Sequence, residues 1–281
     1  MLDEPRSGRL AAWGNALLAG MISPDEAADR IAGDDAVHRV EHLPSSPGPD
    51  AAPEPSPVGL TLALGRLRSL GTAGLRVALP APGHPLGLSG PPEFNSLALE
   101  AGEAVVATGA GLGLTPEVHA AGPEGDQHVE VVWRCLPVRE GPPADVPSLS
   151  EAERELAEAL RDATQVLTDL DVAGSGPVAD AALEAYRARM EAGRRLLAPG
   201  YPPRAVRVLE LAQRVGALVA IAHGRAGGGG GTGDGREHGG AVSASQIAAR
   251  AEALRPVERT ARRAQVAAYN AYAEELERKR S

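Results

Sequence analysis

Large rings are scarce in this chain of 281 residues, which has one Phe (Phe94), two Trp (Trp13 and Trp133) and four Tyr. A core must therefore be built from Leu, Val and Ala, and the chain offers little on which nucleic-acid bases could stack. Cysteine is scarcer still. With Cys135 alone, no intramolecular disulfide or multi-cysteine metal site can form, which suits a reducing compartment. Long apolar runs are missing as well: the longest, Val215 to Ala222, falls far short of the roughly 18 residues of a membrane span. The opening MLDEPRSGRL lacks the basic-then-apolar order of a signal peptide. Together these absences lead to the expectation of a soluble, cytoplasmic protein with no membrane association, no metal and no cofactor.

What is present describes a globular chain. Hydrophobic residues make up 43% of it, enough apolar surface to offset the entropy of ordering. Its length allows two domains of roughly 100 to 200 residues each. Of 28 basic residues only Lys279 is a lysine, a coding bias of GC-rich genomes rather than a binding adaptation. The net charge is -9, and only residues 241–281, with 8 basic and 5 acidic side chains, run the other way. An acidic body repels nucleic acid and anionic membrane, so nucleic acid is an unlikely partner.

Periodicity divides the chain. Residues 1–43 read as two helices and a strand: Leu10, Trp13, Leu17 and Leu18 recur at helical spacing, Ser23-Pro24-Asp25-Glu26 is an N-cap with proline in the first turn, and Val37 to Leu43 is a strand. Residues 44–57 hold six prolines and form a surface linker. Residues 58–140 follow an α/β pattern. Leu60, Leu64, Leu67 and Leu70 form a helical stripe, Leu75 to Leu79 a strand, Glu93 to Glu100 a helix, and Val105-Val106 the centre of a strand. A turn at 109–113 then leads into a strand through Val118, and finally Val129, Val131, Trp133 and Cys135 alternate with polar positions. Residues 148–281 are helical. A capping box at Ser148 to Glu151 starts one helix, Val178 to Leu197 is a second, and Arg204 to Ala222, apolar on nearly every side, is a central third. A glycine-rich loop at 224–240 and a last helix from Ser243, which Pro256 must kink or split, complete the segment. The expected fold is α+β, with a small mixed sheet region followed by a C-terminal antiparallel helical bundle.

The segments LeuArgValAlaLeuPro (75–80), GlyProProGluPheAsn (90–95), TyrProProArgAlaVal (201–206) and AlaAlaTyrAsnAlaTyr (267–272) resemble an uncharacterised protein family of high-GC bacteria, over most of the chain. The resemblance implies no assigned activity and supplies no catalytic residues.

Several motifs invite chemistry. HisArgValGluHis at 38–42 matches HxxEH, yet in a strand His38 and His42 stand about 13 Å apart, too far to share a metal, and an exposed strand fits better. GlyAlaGlyLeuGly at 109–113 lacks the third glycine of a dinucleotide fingerprint and reads as a turn. The tract 224–240 has no lysine and cannot be a phosphate loop. Cys135 sits on the apolar face of its strand as a buried thiol. Arg255, Arg259, Arg262 and Arg263 share one helix side, with Glu252 and Glu258 nearby.

The loop 80–92 stands apart. It leaves the carboxyl end of a strand and enters a helix, the edge where open α/β sheets bind ligands, and five prolines stiffen it. His84, Glu93 and Asn95 on it, with Arg76, Trp133 and Arg134 on strands that could neighbour it, are the candidate ligand-binding residues. The leading expectation is a non-catalytic protein that binds a protein partner or small molecule. An enzyme working at 80–95, and nucleic-acid binding through the C-terminal arginines, are the alternatives.

Overall fold

The computed structural model describes residues 4–46, 56–123, 127–139, 141–169, 197–222 and 244–280. The expected helix Val178 to Leu197 lies outside the described residues apart from Leu197, as do the glycine-rich loop and residues 47–55 of the proline-rich segment. The chain divides into two compact units. One comprises Glu4–Val146, Leu197–Ala205 and Val266–Ser281; the other comprises Met1–Asp3, Pro147–Leu196 and Val206–Gln265.

The first unit is a mixed α/β structure. Its elements are α1 (Arg6–Leu18), α2 (Pro24–Ala32), β1 (Val37–Glu41), β2 (Val58–Gly59), α3 (Leu60–Ser69) and β3 (Gly74–Ala78). These are followed by α4 (Pro92–Ala101), β4 (Ala104–Thr108), β5 (Leu112–Ala121) and β6 (His128–Pro137). The six strands form one sheet in the order β2-β1-β6-β5-β4-β3. Only β1 and β6 run parallel. Because β1 lies between β2 and β6, residues on both sides of the proline-rich segment build the same sheet.

Local chemistry explains the elements. Ser23 Oγ accepts the Glu26 N–H (3.1 Å) to start α2, as its sequence predicts. Thr108 and Leu112 flank a turn whose Gly109 and Gly111 have φ of 79° and 63°, so the GlyAlaGlyLeuGly tract is a hairpin. On one face of the sheet, α4 seats Phe94 among Ala78, Leu88, Ala98 and Ala104. The ring lies so close to β5 that a Cβ on Gly113 would fall 2.6 Å from Phe94 Cζ. Strand side chains alternate, so Leu75 points to the opposite face from Ala78; there it meets α1, which also packs on α2. Leu10, Trp13, Leu17, Ile31, Leu64 and Leu67 are all buried.

In the second unit, α5 (Leu149–Asp169) begins with the expected capping box: Ser148 N–H donates to Glu151 Oε2 (2.9 Å) and Glu151 N–H to Ser148 Oγ (3.3 Å). α6 (Pro203–Ala222), which belongs to this unit from Val206 onward, is not buried all round. Arg204, Arg207, Glu210 and Arg214 keep one side exposed while Ala205, Val208, Leu209, Ala212 and Val215 are covered. α7 (Ala244–Arg280) runs unbroken through Pro256, where a kink or split was expected. Its residues up to Gln265 belong to this unit, where Arg263 Nη1 pairs with Glu155 Oε2 (3.0 Å). From Val266 the helix belongs to the sheet unit, and Val266 to Ala273 are buried on every side. The stretch buried all round is thus Val266 to Ala273 of α7.

Candidate functional site

The loop 80–92 is a crossover fastened to the sheet. Ala81 and His84 exchange two backbone hydrogen bonds (2.9 and 2.8 Å), Leu79 N–H donates to Leu86 O (3.1 Å), and Gly87 N–H to Ala144 O (2.8 Å). Leu86 and Leu88 are buried. Asn95 Oδ1 accepts the Gly90 N–H (3.1 Å), so its side-chain oxygen closes its own loop. Glu93 is exposed, and no hydrogen bond joins it to His84 among the described residues. The strand edge also differs from the one expected: β3 and β4 are antiparallel, so the crevice at the carboxyl ends of parallel strands does not arise.

The three strand residues do not gather there either. β3 and β6 are separated by β4 and β5, and Arg76 lies across from Leu136, so three strand spacings of ~4.8 Å and a three-residue offset place Arg76 and Trp133 about 17 Å apart. Arg134 pairs across the β5–β6 hairpin with Glu117 (2.6 Å) at the surface. Arg76 forms a two-pronged pair with Glu277, its Nε lying 3.0 Å from Oε1, and Glu277 Oε1 also accepts from Thr108 Oγ1 (2.7 Å). Trp133 is fully buried and belongs to a different cluster.

Two polar clusters do form in this unit. The first covers β3. As an edge strand it presents the backbone groups of Leu75 and Val77 to the outside of the sheet, and buried peptide groups must be paired. Asn15 of α1 donates through Nδ2 to Leu75 O (2.9 Å) and accepts the Leu75 N–H at Oδ1 (2.8 Å). Asn270 of α7 treats Val77 the same way, accepting its N–H (2.6 Å) and donating to its O (3.1 Å). The next outward group, Leu79 N–H, goes to Leu86 O. Each amide thus stands in for a neighbouring strand. Tyr201 completes the cover by donating its hydroxyl to Tyr269 O (2.9 Å) while its ring meets Tyr272 edge-on at 5.0 Å. Burial raises the Tyr201 phenol well above its ordinary range, so it stays a donor. The ring of Tyr269 lies over Gly8, where a Cβ would come within 2.6 Å of Cζ. Segments 75–80, 201–206 and 267–272, distant in sequence, meet here.

The second cluster is ionic and centres on Asp35. Arg6 grips it with Nε to Oδ2 (2.9 Å) and Nη2 to Oδ1 (2.7 Å), Arg9 Nη2 adds a bond to Oδ2 (2.7 Å), and His38 Nε2 another (3.0 Å). Burial alone would raise this carboxyl, but hydrogen bonds from Arg6 and His38 and the charges of Arg6 and Arg9 hold it at about 2. His38 Nδ1 accepts from Trp133 Nε1 (3.2 Å). His38 is therefore buried, not on an exposed strand face as expected from HxxEH, and both ring nitrogens are engaged. Glu103 Oε2 accepts the Ser7 N–H (2.7 Å) at the start of α1. Burial pushes Glu103 above the usual carboxylate range and Glu4 to about 7, with Arg9 pulling both back.

These arrangements hold the fold together. Asp35 is saturated by donors, and burial pushes the Cys135 thiol up to about 12, far from a thiolate nucleophile. Among the described residues no group of three or more His, Cys, Asp and Glu is disposed as a metal-ligand set, and no helix is long and apolar enough to cross a membrane. Asn15 and Asn270 carried one legible signal: each is an amide inside an apolar helical stretch, where a polar group survives only with partners.

Comparison with known proteins agrees with the resemblance in the four segments. Residues 7–149 match the family model of the Rv1486c-like protein, N-terminal domain, and residues 150–266 that of its C-terminal domain. The uncharacterised protein Rv1486c of Mycobacterium tuberculosis (strain ATCC 25618 / H37Rv) is 30% identical over 93% of this chain and 95% of its own length. The uncharacterised protein ML1804 of Mycobacterium leprae (strain TN) is 29% identical over the same shares. No solved structure matches. The chain belongs to the Rv1486c-like family, whose similar members carry no assigned function.

Proposed function

We propose that this chain is a non-catalytic cytoplasmic protein that works by binding a protein partner or a small molecule. One observation supports the reading: several groups suited to chemistry are committed to internal bonds or buried. Asp35 and both nitrogens of His38 are held within one network, Asn95 closes its own loop, and the Cys135 thiol is buried. The same reading takes α5, α6 and the first part of α7 as an antiparallel helical bundle. Nucleic acid is disfavoured as the partner by the net charge of -9 and by pairs that neutralise two of the four C-terminal arginines, Arg255 with Glu252 (2.9 Å) and Arg263 with Glu155.

A thermal-shift screen against metabolites and nucleotides, run beside affinity co-purification, tests this, because anything that binds only the native state raises its melting temperature. A stabilising compound that is not consumed, or a stoichiometric protein partner, is the expected result. Turnover of a metabolite by the pure protein, abolished in His84→Ala, would overturn it in favour of an enzyme at loop 80–95.

A further inference from the structure

The ionic cluster contains a hydrogen-bond pattern that admits only one protonation state. An indole nitrogen can donate but not accept, so the 3.2 Å contact between Trp133 Nε1 and His38 Nδ1 requires a bare Nδ1. The single proton of the neutral ring must then sit on Nε2, where it is donated to Asp35 Oδ2. The ring is completely enclosed, with its centroid 6.1 Å from that of Trp133. These contacts join three elements: α1 through Arg6 and Arg9, the start of β1 through Asp35 and His38, and β6 through Trp133.

We propose that His38 is an acid-sensitive latch. A second proton, on Nδ1, would point at the Trp133 N–H, so protonation breaks that bond and loosens β1 from β6 and from the start of α1 while β3 to β5 stay paired. The charged groups around the ring set the direction. From α1, the guanidinium groups of Arg6 and Arg9 oppose a new positive charge; from the turn before β1, the Asp35 carboxylate favours it but is shared with both arginines; β6 contributes the uncharged indole. Glu4 and Glu103 reach the same arginines from the chain before α1 and from the start of β4. Burial, the largest influence, holds His38 below the ordinary histidine value of 6.5. The latch is closed at neutral pH. Because the unfolded chain takes up the proton more readily, its contribution to stability is present above 6.5 and is lost as the pH falls below it.

Trp133 reports on the latch directly, since the chain has only two indoles and Trp13→Phe assigns the other. In nitrogen-15 correlation spectra followed from about pH 8 to about pH 4, the Trp133 indole signal shifts and loses its protection from solvent exchange at one midpoint below 6.5. The amides of β3 to β5 keep theirs. In His38→Gln the amide nitrogen can donate to Asp35 and the oxygen accept from Trp133, and the midpoint disappears. A Trp133 signal unchanged until global unfolding, or the same midpoint in His38→Gln, overturns the proposal. Should that variant not fold, Trp133→Phe decides: the His38 ring titration moves upward once the opposing donor is gone, and an unmoved titration overturns the proposal equally.

Discussion

Replacing Asn270 by Ala tests the account of the β3 edge most directly. The side chain makes two buried bonds, to the N–H and the O of Val77, and truncation leaves both backbone groups facing apolar neighbours. An orphaned buried group costs about 1–3 kcal/mol, and partial relaxation of the helix offsets some of it. The expected loss is therefore about 2–4 kcal/mol, a large fraction of the roughly 5–15 kcal/mol by which a domain is stable. Urea denaturation should show a lower midpoint, and native-state hydrogen exchange should locate the damage: the Val77 amide speeds up most, while that of Leu75, still held by Asn15, changes less. Asn270→Asp should not rescue, because the second oxygen meets the Val77 carbonyl. A loss below about 0.5 kcal/mol with a slow Val77 amide would refute the idea that the amide replaces a strand.

Other outcomes follow from the same structure. Gly113→Ala forces a methyl against Phe94 and should cost about 1–3 kcal/mol in denaturation, whereas Gly59→Ala, with open space at its Cβ, should be near neutral. Glu4 is held at about 7 against its ordinary 4.5, so the folded state favours its protonated form. Stability from this group is present below pH 4.5 and is lost as pH rises through 7, by at most about 3 kcal/mol. Glu4→Gln should therefore stabilise the protein at alkaline pH and leave it unchanged in acid, as paired urea titrations would show. Asp35, held at about 2 against 3.8, runs oppositely: its contribution is present above 3.8 and fades as pH falls through 2, so Asp35→Asn should flatten the acid limb. A fragment of residues 4–149, lacking Tyr201, Tyr269 and Asn270, should associate through β3, where the Val77 N–H and O lose their cover. Sedimentation checks this, and a soluble monomer that unfolds cooperatively would count against it.

Local pattern made most elements of the sheet unit legible. The Ser23 cap, the leucine stripe of α3, the alternation in β6 and the turn glycines act over a few residues, and each formed where the sequence predicts. Pairing was less legible, because it depends on contacts across long separations. Nothing in Leu75 to Leu79 says that β4 will lie antiparallel to it, and the ligand-edge reading of His84, Glu93 and Asn95 rested on a parallel neighbour. The His38 motif misled for a related reason: its alternation with Val37 and Arg39 is that of a half-exposed strand, but Asp35, Arg6 and Arg9 enclose it, and only folding brings α1 there. The end of α7 was hidden differently. Its alanines suit any helix, and the need for Asn270 becomes visible only once an edge strand has unpaired peptide groups.

The scarcity of large rings gives these polar clusters a physical rationale. A core of Ala, Gly, Val and Leu packs backbones close together, but its small side chains interlock weakly, so a helix displaced along its axis would bury nearly as much apolar area. α1 is the clearest case. All its residues from Leu10 to Leu17 are buried, along with Ser7 and Gly8. Yet directional bonds fix both of its ends: Arg6 and Arg9 to Asp35 at the first turn, with the Ser7 N–H on Glu103, and Asn15 to Leu75 near the last. A shift of one residue along the helix, ~1.5 Å, would break every one of these bonds and would also move Gly8 out from under the Tyr269 ring. Buried polar groups of this kind contribute register more than stability. The ionic cluster and Asn15 therefore have the same role at opposite ends of α1, and the cluster that titrates is the one that can release it.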